Sequence, residues 1–239
     1  MKKKYNTAKV SNDLIESFVK QNNLISFKIL FYISRFDINI PDNSDNIIKL
    51  KIHTKDLLDY CNIDKQTLHR YVKKMVNTSI CINKDKEYIS YISIIPRAKF
   101  VIGTNILELE MFREVLELIC QVKRRFTIID TMQLMKFKSK HSVRMIQILE
   151  MINGFDEKIG KRKTYTLEEL NLMFSTNYKR LKSFEVEILK KVKKELDSNS
   201  KLSFIYQINY KKKDYRAGRP YAYSVTIDLI NNKPQRLLF

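Results

Sequence analysis

The sequence predicts an α+β fold of two tandem winged-helix domains, each a helix-turn-helix plus a β-hairpin wing. Three observations predict it. Residues 164–228 read in order as helix, turn, longer helix, strand, basic loop and strand. A second helix-turn-helix reads at residues 54–76. The loop between the last two strands, KKKDYRAGRP, carries Lys211, Lys212, Lys213, Arg216 and Arg219. That element order with that charge is suited to gripping duplex DNA.

Local signals justify each element in turn. Ser11-Asn12-Asp13 is a helix-start signal for LIESFVKQ. Leu24, Phe27, Ile29, Leu30, Phe31 and Ile33 pattern a buried helix over 24–36. INIPDNSDN at 38–46 is a loop by its Pro, Asp, Asn and Ser content. Ile48, Leu50 and Ile52 alternate, which predicts a short strand. Thr54 is placed as the cap of KDLLDY, and Asp64 as the cap of KQTLHRYVKKMV, whose Leu68, Val72 and Met75 face inward. Cys61-Asn62-Ile63 links the two helices. Strand-like stretches follow at 79–83, 87–95 and 98–102, and residues 105–123 read as a helix.

Phe126 to Phe137 contains no Gly or Pro and reads as a short structured linker. The expected domains are therefore 1–125 and 126–239. Ser139 or Ser142 opens a helix running to Ile152, with Val143, Ile146, Leu149 and Ile152 on one stripe. Asn153-Gly154 ends it. Thr166 and Glu169 make a T-x-x-E capping box, and Ser175-Thr176-Asn177 is the turn that follows. A long helix over about 182–197 turns Phe184, Ile188, Leu189, Val192 and Leu196 to the core. Its exposed side carries Lys182, Ser183, Val186, Lys190 and Lys193 or Lys194. Leu202, Phe204, Tyr206, Ile208 and Tyr210 alternate, as do Tyr221, Tyr223, Val225 and Ile227, so two strands flank the basic loop. Gly218 supplies φ > 0 at its turn. The halves share architecture without clear residue identity.

Charge narrows the partner. The chain of 239 residues has 45 Lys+Arg against 26 Asp+Glu, a net +19. Residues 160–239 hold 18 and 8 of these, so the C-terminal third is about twice as basic per residue as the rest. Each Lys or Arg that neutralises a phosphate releases a counterion, so a polyanion is the natural partner. A lysine-rich solubilising surface is the plain alternative. The coincidence of charge with a docking motif favours nucleic acid.

Other classes fit poorly. At 44% hydrophobic with 4 Gly and 4 Pro, the chain reads as neither disordered nor fibrous. Cys61, Cys81 and Cys120 are scattered, with no C-x-x-C, which predicts free thiols, no zinc site and a reducing cytosol. His53, His69 and His141 lack metal-ligand spacing, so neither metal nor cofactor is expected. Met1-Lys2-Lys3-Lys4 is followed by polar YNTAKVSND rather than an apolar run, and no stretch approaches a membrane span. The expected location is the cytoplasm, in association with nucleic acid. No GxxxxGK[ST] is present, and no His-x-His accompanies the strand tyrosines, which argues against helicase-loader ATPase and rolling-circle nicking activities.

The order and spacing of VSNDLIES, FTIIDTMQLMKFKSKHSVRMIQILEMI, TLEELNLMF, NYKRLKSFEVEILKKVKKEL, LSFIYQI and YSVTIDL resemble the initiator replication proteins of iteron-controlled bacterial plasmids. The likeness covers about residues 9–230. It implies two winged-helix domains, the second placing its recognition helix in the major groove of each origin direct repeat while its wing touches the backbone. It implies that the first domain makes weaker DNA contacts and forms a dimer interface. It further implies that monomers initiate replication, that dimers repress their own promoter at an inverted-repeat operator, and that host replication proteins are further partners. Matched residue by residue, the recognition helix starts at Lys179, Arg180, Lys182 and Ser183, and the wing falls at Lys211, Lys212, Lys213, Arg216 and Arg219. Positions 185 and 187 are often basic in such helices; here they are Glu185 and Glu187. Each either accepts from a cytosine amino group or repels phosphate.

Each candidate contact has a plainer reading beside it. Arg180 is the best guanine reader, because its fork matches O6 and N7; the alternative is a solvated basic turn. Lys190, Lys191, Lys193 and Lys194 cannot all face DNA on a 3.6-residue period, and Lys190 is the candidate retained. The wing positions rather than reads, or is a solvated hairpin tip. Lys65, Gln66, His69, Arg70 and Lys73, with Lys74, line the first domain's second helix, as DNA contacts or as amphipathic surface. The resulting expectation is a sequence-specific double-stranded DNA-binding initiator that performs no covalent chemistry. A dedicated winged-helix repressor is the alternative, and a nickase the third.

Overall fold

The computed structural model describes residues 7–12, 14–15, 24–36, 38, 40, 46–84, 89–120, 126–156, 160–211 and 220–232. It divides into two compact units, Met1–Met135 and Lys136–Phe239.

In the first unit, β1 (Thr7–Ser11) pairs antiparallel with β7 (Phe126–Asp130). Residues 126–130 thus hydrogen-bond back to residues 7–11 and belong to the first unit, which ends at Met135. Of the helix expected over 14–21, Leu14 and Ile15 are helical, and the rest lies outside the described residues. Helix α1 (Leu24–Ser34) buries Phe27, Ile29, Leu30, Phe31 and Ile33, and also Lys28, whose ammonium donates to Met135 O at 2.7 Å. A buried cation is tolerated when it is hydrogen-bonded.

Strand β2 (Ile47–His53) leads into α2 (Thr54–Cys61) and α3 (Lys65–Val76). Thr54 is not the cap of α2 but its first residue; the cap position is His53, without a side-chain hydrogen bond. The Thr54 amide instead bonds Asn105 O at 2.9 Å, tying the helix to a neighbouring loop. Asp64 does cap α3, accepting the Thr67 amide at 2.7 Å, and Leu68, Val72 and Met75 are buried. After the hairpin β3 (Ser79–Lys84) and β4 (Ile89–Ser93) come β5 (Arg97–Val101), β6 (Ile106–Phe112) and α4 (Arg113–Cys120).

Strand β6 corrects the helix expected over 105–123. Among its described residues only Arg113–Cys120 are helical, and 121–123 lie outside them. Leu and Glu are good helix formers, but ILELEM alternates strictly, and β6 pairs with both β2 and β5. Leu107, Leu109 and Met111 face the core beside Leu50 and Ile52. Glu108 and Glu110 lie on the other face, within 3.5 Å of Lys51 and 3.8 Å of Arg97.

The second unit starts with Lys136, the last residue of α5 (Thr131–Lys136). Ser139, not Ser142, caps α6 (Lys140–Asn153), accepting the His141 amide at 3.1 Å. Gly154 ends this helix in right-handed geometry, φ −75°, rather than in the left-handed conformation that favours glycine. An unforeseen strand, β8 (Arg162–Thr166), follows, and Thr166 with Glu169 closes the capping box of α7 (Leu167–Phe174). A continuous helical run comes next: α8 (Leu181–Phe184), a π turn (Glu185–Leu189) and α9 (Lys190–Asn199). Strands β9 (Leu202–Lys211) and β10 (Tyr221–Asn231) complete the unit.

The two units repeat one topology. The second sheet has the order β8-β10-β9, and the first has β2-β6-β5. In each, a strand before the helix pair lies beside the last strand of the hairpin that follows the pair. Helix pair and hairpin on one three-stranded sheet make each unit a winged helix. The first unit adds the hairpin β3–β4 between its helix pair and its sheet hairpin. Both helix-turn-helix links enter the left-handed region at a non-glycine residue, Asn62 and Ser175, each at φ 52°.

Candidate nucleic-acid interface

The helix-turn-helix of the second unit is built by local hydrogen bonds. The Thr166 hydroxyl accepts the Glu169 amide at 3.2 Å, and the Glu169 carboxylate accepts the Thr166 amide at 2.7 Å. Reciprocal bonding of this kind fixes where α7 begins. Asn171 organises the connection to α8. Its amide group bonds both backbone atoms of Tyr178 and accepts the Thr176 hydroxyl at 2.8 Å. Beneath, Phe174, Leu181 and Phe184 are buried, with the two phenylalanine rings edge to face at 5.5 Å. Ring pairs in that geometry add about 0.5–1.5 kcal/mol beyond burial.

This packing decides what the helical run exposes. Ile188, Leu189, Val192 and Leu196 are buried. Lys179 and Arg180 lie just before the helix, Lys182 and Ser183 in its first turn, and all four are exposed. Arg180 occupies the cap position with extended backbone and makes no side-chain cap bond. Lys190 is exposed two turns further on. Of the remaining lysines, Lys191 pairs with Glu187 at 2.5 Å and Lys193 with Asp197 at 2.9 Å along the helix. Lys194 is exposed.

Glu185 departs from a solvent-facing role. Its carboxylate is 3.0 Å from the Lys182 ammonium and 3.7 Å from that of Lys190, and accepts the Tyr206 hydroxyl of β9 at 3.2 Å. Burial pushes its pKa up. The hydrogen bonds from Lys182 and Tyr206 and the two ammonium charges outweigh this, so the carboxyl is held below its ordinary value. Sequence reasoning marked Glu185 as anomalous, but its partner on β9 is a tertiary contact without a local signal. The side chain of Asn171 bonds residues five and seven positions on, but its spacing to Thr176 and Tyr178 matches no capping pattern that would mark it in the sequence.

Glu195, further along the run, accepts the Lys138 amide at 2.5 Å and also the Ser142 hydroxyl. These bonds fasten α9 to the start of α6. Lys211 closes β9 and is exposed, while Lys212, Lys213, Arg216, Gly218 and Arg219 lie outside the described residues.

In the first unit, Lys65, Gln66, His69, Arg70, Lys73 and Lys74 are all exposed on α3. The His69 ring stacks on Phe100 of β5, centroids 3.6 Å apart, and the Arg70 guanidinium lies over the Tyr71 ring. Lys65, His69 and Lys73, and Gln66, Arg70 and Lys74, follow each other at i, i+4 spacing and so share one face of α3.

Nothing in the described residues offers a metal site: no cluster of three ligating side chains occurs among them. Burial pushes the Cys61 and Cys120 thiols up to about 12, so both stay protonated. No helix among the described residues is long and apolar enough to cross a membrane.

Residues 7–150 match the family of initiator replication proteins, in its WH1 domain. The chain belongs to this initiator family. Among solved structures, the initiator resembles the Pi initiator protein crystallised in complex with iteron DNA, at a TM-score of 0.69 and 15% identity over 98% of this chain and all of that one. Domains 2 and 3 of RctB align at a TM-score of 0.45 and 10% identity, over 90% of this chain and 82% of that one. Comparison with curated proteins returned no match. The Pi likeness shows that the initiator has the tandem winged-helix fold read from its topology.

Proposed function

We propose that this initiator binds double-stranded DNA at origin direct repeats, with the second unit as the main reader. The observation that carries the reading is the exposed cationic start of the helical run, Lys179, Arg180, Lys182 and Ser183, with Lys190 behind it, on the second helix of a helix-turn-helix. The first residues of such a helix are the ones that reach base edges. Family membership and the fold shared with a protein crystallised on iteron DNA support the same reading. In it, Lys211, Lys212, Lys213, Arg216 and Arg219 track the phosphate backbone beside the groove. Lys65, Gln66, His69, Arg70 and Lys73 make auxiliary contacts from the first unit, which also forms the homodimer. Monomers mark the origin and recruit host replication proteins, dimers repress the initiator's promoter, and no covalent chemistry is required.

The test is titration of the full chain against duplexes carrying tandem repeats from the DNA adjoining its gene. Six phosphate contacts give a log–log salt slope of about −5. A slope near zero rejects the reading. A footprint on an inverted repeat alone, with none on tandem repeats, reassigns the protein as a dedicated repressor.

A further inference from the structure

Lys182 and Glu185 are three residues apart and meet as they would in any α-helix. Glu185 and Lys190 are five apart, and in an α-helix a rotation of about 140° would separate them. The π turn removes that separation. The Lys190 amide closes on Glu185 O, so Lys190 sits over Glu185 and their charged groups approach to 3.7 Å. One carboxylate thus holds two lysines, and Tyr206 fixes it from the sheet. The Glu185 side chain is 12% exposed, whereas those of Lys182 and Lys190 are 73% and 55% exposed. The anion lies inside and the two cations face out. Single-turn π insertions recur at functional sites.

We propose that Glu185 is a positioning residue that sets sequence discrimination, acting as an internal counter-ion that holds Lys182 and Lys190 back from phosphates of unfavoured duplexes. The proposal rests on the duplex-DNA reading above. Non-specific binding is almost wholly electrostatic. A phosphate that recruits either lysine competes with Glu185, so random sequence gains less. On a favoured sequence Lys182 and Lys190 are met by base-edge acceptors that they reach without leaving Glu185, so the competition falls mainly on random sequence. Glu185 therefore widens the gap between the two affinities without touching a base.

The test uses the full chain and two duplexes: one enriched from a random library by the wild-type protein, and its scrambled version. Glu185→Gln removes the charge and keeps an oxygen for Tyr206. E185Q should tighten binding to the scrambled duplex about 5–10-fold at low salt, and to the enriched duplex less than about 3-fold. Its salt slope on the scrambled duplex should steepen by about 0.9. In a Lys182→Gln, Lys190→Gln background the gain should vanish to within about 2-fold, because the partners through which Glu185 acts are gone.

Equal gains on both duplexes, no gain, or the same gain in the double-lysine background each overturn the proposal. Tyr206→Phe keeps the charge but loosens the carboxylate, and should tighten binding to the scrambled duplex by less than about half the E185Q factor; a gain equal to that of E185Q assigns the effect to damaged packing and overturns it too. Glu185→Ala serves the same comparison if the glutamine variant does not fold. If the wild-type chain enriches no sequence, the duplex-DNA reading itself fails and the proposal falls with it.

Discussion

The side-chain amide of Asn171 bonds the backbone of Tyr178 in both directions, accepting its N–H at 3.0 Å and donating to its carbonyl at 2.8 Å. The Thr176 hydroxyl donates to the same Asn171 oxygen, and the Thr176 amide bonds the Asn171 carbonyl at 2.9 Å. One residue in the last turn of α7 thus fixes the connection that aims the next helix. Asn171→Ala leaves a part-buried amide and carbonyl without partners. It should destabilise the protein by about 2–3 kcal/mol, read as a lower urea midpoint at unchanged slope. Asn171→Asp keeps the acceptor and should cost less. A wild-type midpoint for Asn171→Ala would show that the connection is held elsewhere.

Ser175 sits in that connection at φ 52°, ψ 55°. An L-residue other than Asn or Asp is strained there, and glycine is not. Ser175→Gly should therefore stabilise the protein by about 0.5–1 kcal/mol, after the entropy glycine adds to the unfolded chain. A rise of a few degrees in Tm is the readout. Asn62→Gly is the control from the first unit: asparagine already tolerates the same geometry, φ 52° and ψ 56°, so its gain should be smaller.

Much of this architecture is legible in the sequence because it is written locally. Asp64, Thr166 and Glu169 announce helix starts through bonds that span three residues. Phe204 and Tyr206, like Val225 and Ile227, reveal strands by alternation. Where Leu107, Leu109 and Met111 alternate with glutamates, the same signal was present but lost to the helix propensity of Leu, Glu and Met. β8 was illegible for another reason. RKTYT is short and mostly exposed, and only pairing with β10 makes it a strand. The exposed cations at the helix start were likewise readable from the spacing of the buried Phe184, Ile188, Val192 and Leu196. The π turn was not, because it changes which residues align while leaving composition untouched. The link from Glu185 to Tyr206 joins residues brought together only by folding.

His141 supplies a pH-dependent element in the second unit. Its ring packs against Phe174 at 5.8 Å, and its Nδ1 has no hydrogen-bond partner among the described residues. Burial, then the Lys140 charge, lowers its pKa from 6.5 to about 4. The folded chain therefore holds His141 neutral while the unfolded chain takes up the proton. The stabilisation is complete above pH 6.5, is lost as pH falls from 6.5 toward 4, and changes no further below. Allowing for the ring's partial exposure, the loss is about 1–2 kcal/mol. His141→Phe keeps an aromatic ring and removes the titration. Wild type should lose more stability than this variant between pH 7 and pH 4.5. Parallel losses would mean that the imidazole charges freely within the fold.

Arg180 and Lys179 are neighbours, both exposed at the start of the helical run, and the proposed reading gives them different work. A guanidinium matches the paired acceptors of guanine, whereas an ammonium acts as a point charge. Arg180→Ala should cost about 1–3 kcal/mol on the favoured duplex and much less on scrambled DNA, so the specificity ratio falls. Lys179→Ala should weaken both duplexes alike and flatten the salt slope by about 0.9. Arg180→Lys should behave nearly as Arg180→Ala on the favoured duplex, because charge is restored but the fork is not. Competition titrations at two salt concentrations read all three. An equal loss on both duplexes for Arg180→Ala would move this residue from base reading to backbone contact, and would leave the discrimination to other positions of the run.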